Sequence, residues 1–169
     1  LEALGCVCDP NIDLANEFAE RYSVPSLSFE DVIQSKSIEA VVLAVPAPLH
    51  ASMALRAIEM GKHVYVEKPL AINRDEAVQM INSAKSSGVH LMVGHLLQYH
   101  PVFEELKKMV EGEKLGDLKY IYSNRLSLGK VRSVEDVIWS FAPHDISMIL
   151  ALAGCSPTTV RAESAAILQ

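Results

Sequence analysis

Two short stretches carry residue types suited to proton chemistry on an alcohol: Glu67-Lys68-Pro69, directly after the apolar run HVYV (63–66), and Pro143-His144-Asp145. A lysine near other cations, or partly desolvated, can orient or deprotonate a hydroxyl, and an imidazole exchanges a proton near neutral pH. Each has a plainer reading, Lys68 as a solvated turn residue and His144 as a helix cap. Asp9 closes an early apolar segment, where a carboxylate either accepts from a ribose hydroxyl or starts the next helix. The loop VPAPLH (45–50) either lays backbone amides along a phosphate or ribose, or simply turns. His50, at its end, is a candidate contact, cap or core residue. No metal site is expected, because the six histidines are scattered without paired ligand spacing.

Periodicity predicts the elements that position these residues. Residues 3–8 read as a strand and 11–22 as a helix with Leu14, Ala15, Phe18, Ala19 and Tyr22 on one face. Ser28 with Asp31 marks a second helix start, and IEAVVLAV (38–45) reads as a strand buried on both faces. A helix over 49–60 ends at Gly61, HVYV is the next strand, and Asn73 with Glu76 caps a helix that stops at Gly88. VHLMVG (89–94) is one more strand. Strands separated by helices cannot pair as hairpins, so the order implies a doubly wound parallel α/β sheet. In such a sheet ligands bind beyond the carboxyl ends of the strands, where Asp9, Pro46, His50, Glu67 and Lys68 all fall.

Past residue 96 the pattern changes. Pro101–Val110 reads as an amphipathic helix, LKYIYSNRLSL (118–128) as a half-exposed antiparallel strand, 144–153 as a helix and TTVRAESAAIL (158–168) as another strand. The expectation is a partial dinucleotide-binding domain over 1–96 and the start of an α+β substrate domain over 97–169. His144 then stands at a helix N-terminus, where the dipole keeps the imidazole neutral. The chain opens inside an apolar segment, as if its first βα unit were missing.

Composition narrows the function classes. Half the residues are hydrophobic and 21% charged, which suits a folded globular chain. The net charge of −6, with no dense Lys/Arg run, argues against nucleic acid as a partner. No apolar run is long enough for a membrane span, so a cytoplasmic location is expected. Cys6, Cys8 and Cys155 read as reduced thiols, the first two in the core.

An acidic residue closing an early strand, a proline loop ending in His50, EKP at the next strand end and a G-H-x-x-x-Y-x-P stretch (94–101) occur in this order. The combination resembles the Gfo/Idh/MocA oxidoreductase family over essentially the whole chain. SNRLSLGKVR (123–132) and IWSFAPHDIS (138–147) resemble its nucleotide-sugar 3-dehydrogenase branch. The resemblance implies NAD as cofactor, with Asp9 at the adenosine ribose, Glu67 along the nicotinamide ribose, and Pro46, His50 and Trp139 also beside the cofactor. It implies Lys68 and His144 as catalytic residues. Arg125 and Lys130 are either contacts for a substrate carboxylate or diphosphate, or ordinary surface cations. Many relatives carry an aspartate four residues before the histidine, where this chain has Ser140; either another group such as Asp145 tunes His144, or Lys68 takes the larger share of proton transfer. The implied reaction oxidises C3 of a UDP-N-acetylhexosamine or its uronate for surface-polysaccharide synthesis, in a full-length homo-oligomer. Two other readings remain open: a non-catalytic dinucleotide-binding regulator, and an NAD-dependent glycoside hydrolase of the same fold.

Overall fold

The computed structural model describes residues 3–126 and 137–163, which form two compact units dividing between Gly94 and His95. The first contains α1 (Ile12–Tyr22), α2 (Phe29–Gln34), β1 (Ala40–Leu43), α3 (His50–Glu59), β2 (His63–Val66), α4 (Arg74–Ser87) and β3 (Leu91–Val93). The second contains α5 (Pro101–Glu111) and α6 (Val137–Ala153). Short 3-10 turns cover Ala47–Leu49 and Leu96–Tyr99. Among the described residues no helix is long and apolar enough to cross a membrane.

Local chemistry sets the helix limits. Asn11 accepts from the amides of Asp13 and Leu14, Ser28 from Asp31, and Asn73 from Glu76 at 2.9 Å, so the starts of α1, α2 and α4 each have a side chain taking up otherwise unpaired N–H groups. Gly88 ends α4 with φ +66°, and its amide and the next return to α4 carbonyls.

The strands lie in the order β1-β2-β3, all parallel, each joined to the next through a helix. Val41, Leu43, Val64 and Val66 face a core filled by Ala51, Ala54, Ala57 and Ile58 of α3 and Met80 and Ala84 of α4. The alanines let the α3 backbone approach the sheet closely. Lys62 is buried at 7% exposure because its Nζ donates to the carbonyls of Ser35 (2.5 Å) and Ile38 (2.8 Å), tying the connection between α2 and β1 to the start of β2.

Several expectations are corrected. Residues 3–8 form no strand beyond one bridge, Val7 with Ser26. On one side Val7 bonds to Pro25 and Leu27, but on the other a groove of about 670 Å³ separates this segment from the edge of β1, so no ladder continues. β1 is buried on one face only: Val42 is 69% exposed, since α3 packs against the opposite face. Cys6 is half-buried, while Cys8 is exposed and not a core thiol; Cys155 is exposed as well. In the second unit 118–126 and 158–163 are not strands; their alternating Tyr120, Tyr122 and Val160 are about 80% exposed, and among the described residues no partner edge is available to pair their backbone. The remainder of those two runs, 127–128 and 164–168, lies outside the described residues.

Candidate active site

Parallel register brings the strand exits of the first unit side by side. Leu43 pairs with Val66, and Val66 with Val93. The ladder runs one step further: the Glu67 amide donates to Leu43 O at 2.9 Å and the Gly94 amide to Val66 O at 2.8 Å. Lys68 therefore leaves the sheet at its carboxyl edge immediately after the last laddered residue of the central strand. Glu67 and Lys68 are half-buried and Pro69 is buried, with a cis Lys68–Pro69 peptide. Next to them the chain leaving β1 turns through exposed Pro46, whose carbonyl accepts from the Leu49 amide at 2.9 Å.

Glu67 is held from two sides. Tyr65, on the same face of β2, donates its hydroxyl to Glu67 Oε1 at 3.3 Å. Gly94 leaves the space that both occupy: a Cβ there would sit 2.6 Å from Tyr65 Oη and 3.1 Å from Glu67 Oε2. The absent side chain at the end of β3 is thus what admits a carboxylate over this strand end. Tyr65 was not singled out from sequence, and Gly94 only as part of the 94–101 pattern. A glycine closing a strand was the available signal.

His50 is 1% exposed. Its Nδ1 lies 2.7 Å from the Pro69 carbonyl oxygen and its Nε2 2.8 Å from that of Val45, so it bridges the two loops. Asp9 is exposed, and its Oδ1 accepts the Asn11 amide at 2.8 Å at the start of α1.

The second unit holds the other predicted residues. His144 is not at a helix N-terminus: α6 starts at Val137 and runs through Pro143, so the dipole expectation fails. Proline is favoured in a first turn, which made Pro143 read as a start; here it lies inside the helix, where it removes one backbone donor and its ring crowds the preceding turn. Ser140 is 5% exposed and, four residues before His144, shares its helix face. Asp145 is committed to Arg125, which donates from Nε at 2.7 Å and from Nη2 at 3.3 Å. That two-pronged pair compensates both the cation expected to meet substrate and the acid considered as a partner of His144. Trp139 is 39% exposed. Lys130 lies outside the described residues. His95 has a buried Nδ1 without a hydrogen-bond partner, and burial lowers its pKa from the usual 6.5. Among the described residues no group of three or more side chains is placed to hold a metal ion.

A parallel sheet whose exits carry a proline loop, a Glu-Lys-Pro turn and a glycine-made recess defines a Rossmann-like dinucleotide-binding unit. Residues 1–95 match the oxidoreductase family with an NAD-binding Rossmann fold, and the chain belongs to this family, Gfo/Idh/MocA. It is similar to the UDP-N-acetylglucosamine 3-dehydrogenase of Acidithiobacillus ferrooxidans, with 29% identity over 163 residues, 96% of this chain and 50% of that protein. The chain spans half or less of the length of the curated relatives it matches. Among solved structures, an NAD-binding protein from Listeria innocua shares the fold with a TM-score of 0.74 at 23% identity, over 87% of this chain and 46% of the other. A 3-ketoreductase from Actinomadura kijaniata, in complex with NADP and TDP-benzene, gives 0.61 at 28% identity over 64% and 34% of the two chains.

Proposed function

We propose that the full-length protein oxidises a secondary alcohol of a sugar with NAD, at C3 of a UDP-N-acetylhexosamine or its uronate. The observation that carries the reading is the pairing of the β1, β2 and β3 exits, which places the Pro46 loop beside Glu67 and Lys68 and, through Gly94, seats a carboxylate at that edge. The likeness to a UDP-N-acetylglucosamine 3-dehydrogenase over nearly all of this chain supports the substrate class.

The residues present fit a dinucleotide: the recess over Gly94 presents acceptor oxygens of the type that ribose hydroxyls require. Glu67 is assigned to the nicotinamide ribose, Asp9 to the adenosine ribose, and the Pro46 loop to backbone contacts. NAD, when bound, supplies the carbon that accepts hydride. Lys68 is assigned to the substrate hydroxyl, where an ammonium stabilises the oxyanion that forms as the proton departs. His144 is the second unit's candidate for proton acceptor, with Ser140 rather than a carboxylate on its helix face.

The test is NADH formation by full-length protein given NAD with UDP-N-acetylglucosamine or its uronate. Absence of NADH with both sugars would reject the substrate class. A Lys68→Ala protein turning over at the wild-type rate would reject the role of the lysine.

A further inference from the structure

We propose that His50 is a positioning residue: a buried imidazole carrying both ring protons, which ties the chain leaving β1 to the Lys68–Pro69 turn and so fixes where Lys68 stands. The proposal rests on the reading of Lys68 given above.

The ring is 1% exposed, and each nitrogen faces a backbone carbonyl oxygen, Pro69 at 2.7 Å and Val45 at 2.8 Å. Carbonyl oxygens only accept. A neutral imidazole has one N–H and one lone pair, so it would satisfy one oxygen and turn a lone pair toward the other. Reversing the ring does not help, because it exchanges nitrogens for carbons at both contacts. With both protons the ring donates twice, and each bond gains from the charge. The α3 N-terminus opposes the second proton, since a cation there meets the positive end of the helix dipole. Burial of the charge opposes it as well; against both stand two charge-assisted bonds to buried carbonyls. No acid lies in the 3-10 turn or in the first turn of α3; the titratable groups of the turn that His50 meets are Glu67 and Lys68.

The two carbonyls belong to chain segments leaving neighbouring strands, β1 and β2, where the ladder has ended. An apolar residue of similar size would fill the space but leave both oxygens without a donor and the segments uncoupled. His50 therefore need not touch the dinucleotide to matter to it: the Pro46 loop and the Lys68 turn move as one body only while the strut is intact.

The experiment uses full-length protein, with nitrogen NMR of the histidine ring and with His50→Leu and His50→Gln variants beside Lys68→Ala. Both His50 nitrogens are expected at protonated shifts under assay conditions. In His50→Leu, amide exchange should accelerate together over 45–50 and 67–70 while β1, β2 and β3 stay protected. Its kcat should fall about 10- to 100-fold, the cost of a displaced catalytic group, with a much smaller change in dinucleotide KM. His50→Gln keeps an amide donor and should recover part of the loss. A single-proton tautomer, or faster exchange confined to α3, would overturn the proposal; the NMR result stands even if His50→Leu does not fold. Wild-type turnover in Lys68→Ala would instead remove the role of the lysine, leaving the strut to be judged by the ring shifts and the exchange pattern.

Discussion

Substituting Gly94 by alanine isolates what its missing side chain does. Gly94 is not among the glycines with positive φ, so alanine suits its backbone and the perturbation is steric. The new methyl would stand 2.6 Å from Tyr65 Oη and 3.1–3.2 Å from the Glu67 carboxyl, against ordinary contacts of 3.4 Å or more. The tyrosine hydroxyl must retreat by roughly 0.8 Å and the carboxylate by a few tenths of an ångström, as overpacking of a filled site demands. Both atoms end flexible side chains, so the cost in stability should be small, about 1 kcal/mol. In a full-length protein larger than this chain that lowers Tm by no more than about 2–4 °C. Function should suffer more, because displacing a positioned group by 1 Å costs about a hundredfold, and this smaller shift about tenfold. The assay is dinucleotide affinity and NADH formation by full-length Gly94→Ala, with thermal melting alongside. Adding Tyr65→Phe removes the atom of closest contact and should restore part of the loss. Wild-type affinity and turnover in Gly94→Ala would refute the placement of Glu67, and global unfolding would refute the small stability cost.

Other consequences follow from single contacts. Lys62→Met leaves the Ser35 and Ile38 carbonyls without their donor and should destabilise the chain by about 1–3 kcal/mol in urea unfolding, with no direct effect on dinucleotide affinity. Asn73→Ala removes the α4 cap and should cost about 1 kcal/mol, whereas Asn73→Asp should retain most of the stability. His95 has a folded-state pKa lowered by burial, so the unfolded chain binds more protons around and below pH 6.5, and stability should fall as pH drops through that window. His95→Gln should flatten the decline in denaturant titrations between about pH 7.5 and 5.5.

The alternation of strands and helices around the Lys68 turn was legible because each element carries its own signal. Continuous valines marked β1 and β2, while Asn73 and Gly88 bracketed α4. What failed had no local signal. Residues 3–8 have the composition of a strand, but a strand exists only where both a sequence and a neighbouring edge are available, and here a groove lies where the β1 ladder would be. The same lack of a partner edge, among the described residues, leaves 118–126 unpaired despite their alternation. Pro143 misled for a different reason: proline is favoured at a helix start and disfavoured inside one, and α6 runs against that preference.

The same contrast separates Lys68 from His144. Lys68 follows a strand whose register is fixed, since Val64 and Val66 are 2% and 0% exposed and a slip by one residue would turn them out and bring Tyr65 and Glu67 into the core. Its backbone position is therefore set by burial of residues outside the site, by the Glu67–Leu43 bond and, at the following proline, by the His50 contact. His144 loses the dipole expected to keep it neutral, and Asp145 is engaged by Arg125. If proton acceptance at His144 depends on its own helix, Ser140 is the residue on that face to change. Ser140→Asp restores the spacing of a carboxylate and imidazole and should raise the His144 pKa, since a nearby anion favours the imidazolium. The acid limb of the kcat–pH profile should then move to higher pH, because a base with a raised pKa stays protonated longer as pH rises. An unmoved profile would mean that His144 is not the group whose proton the rate reports.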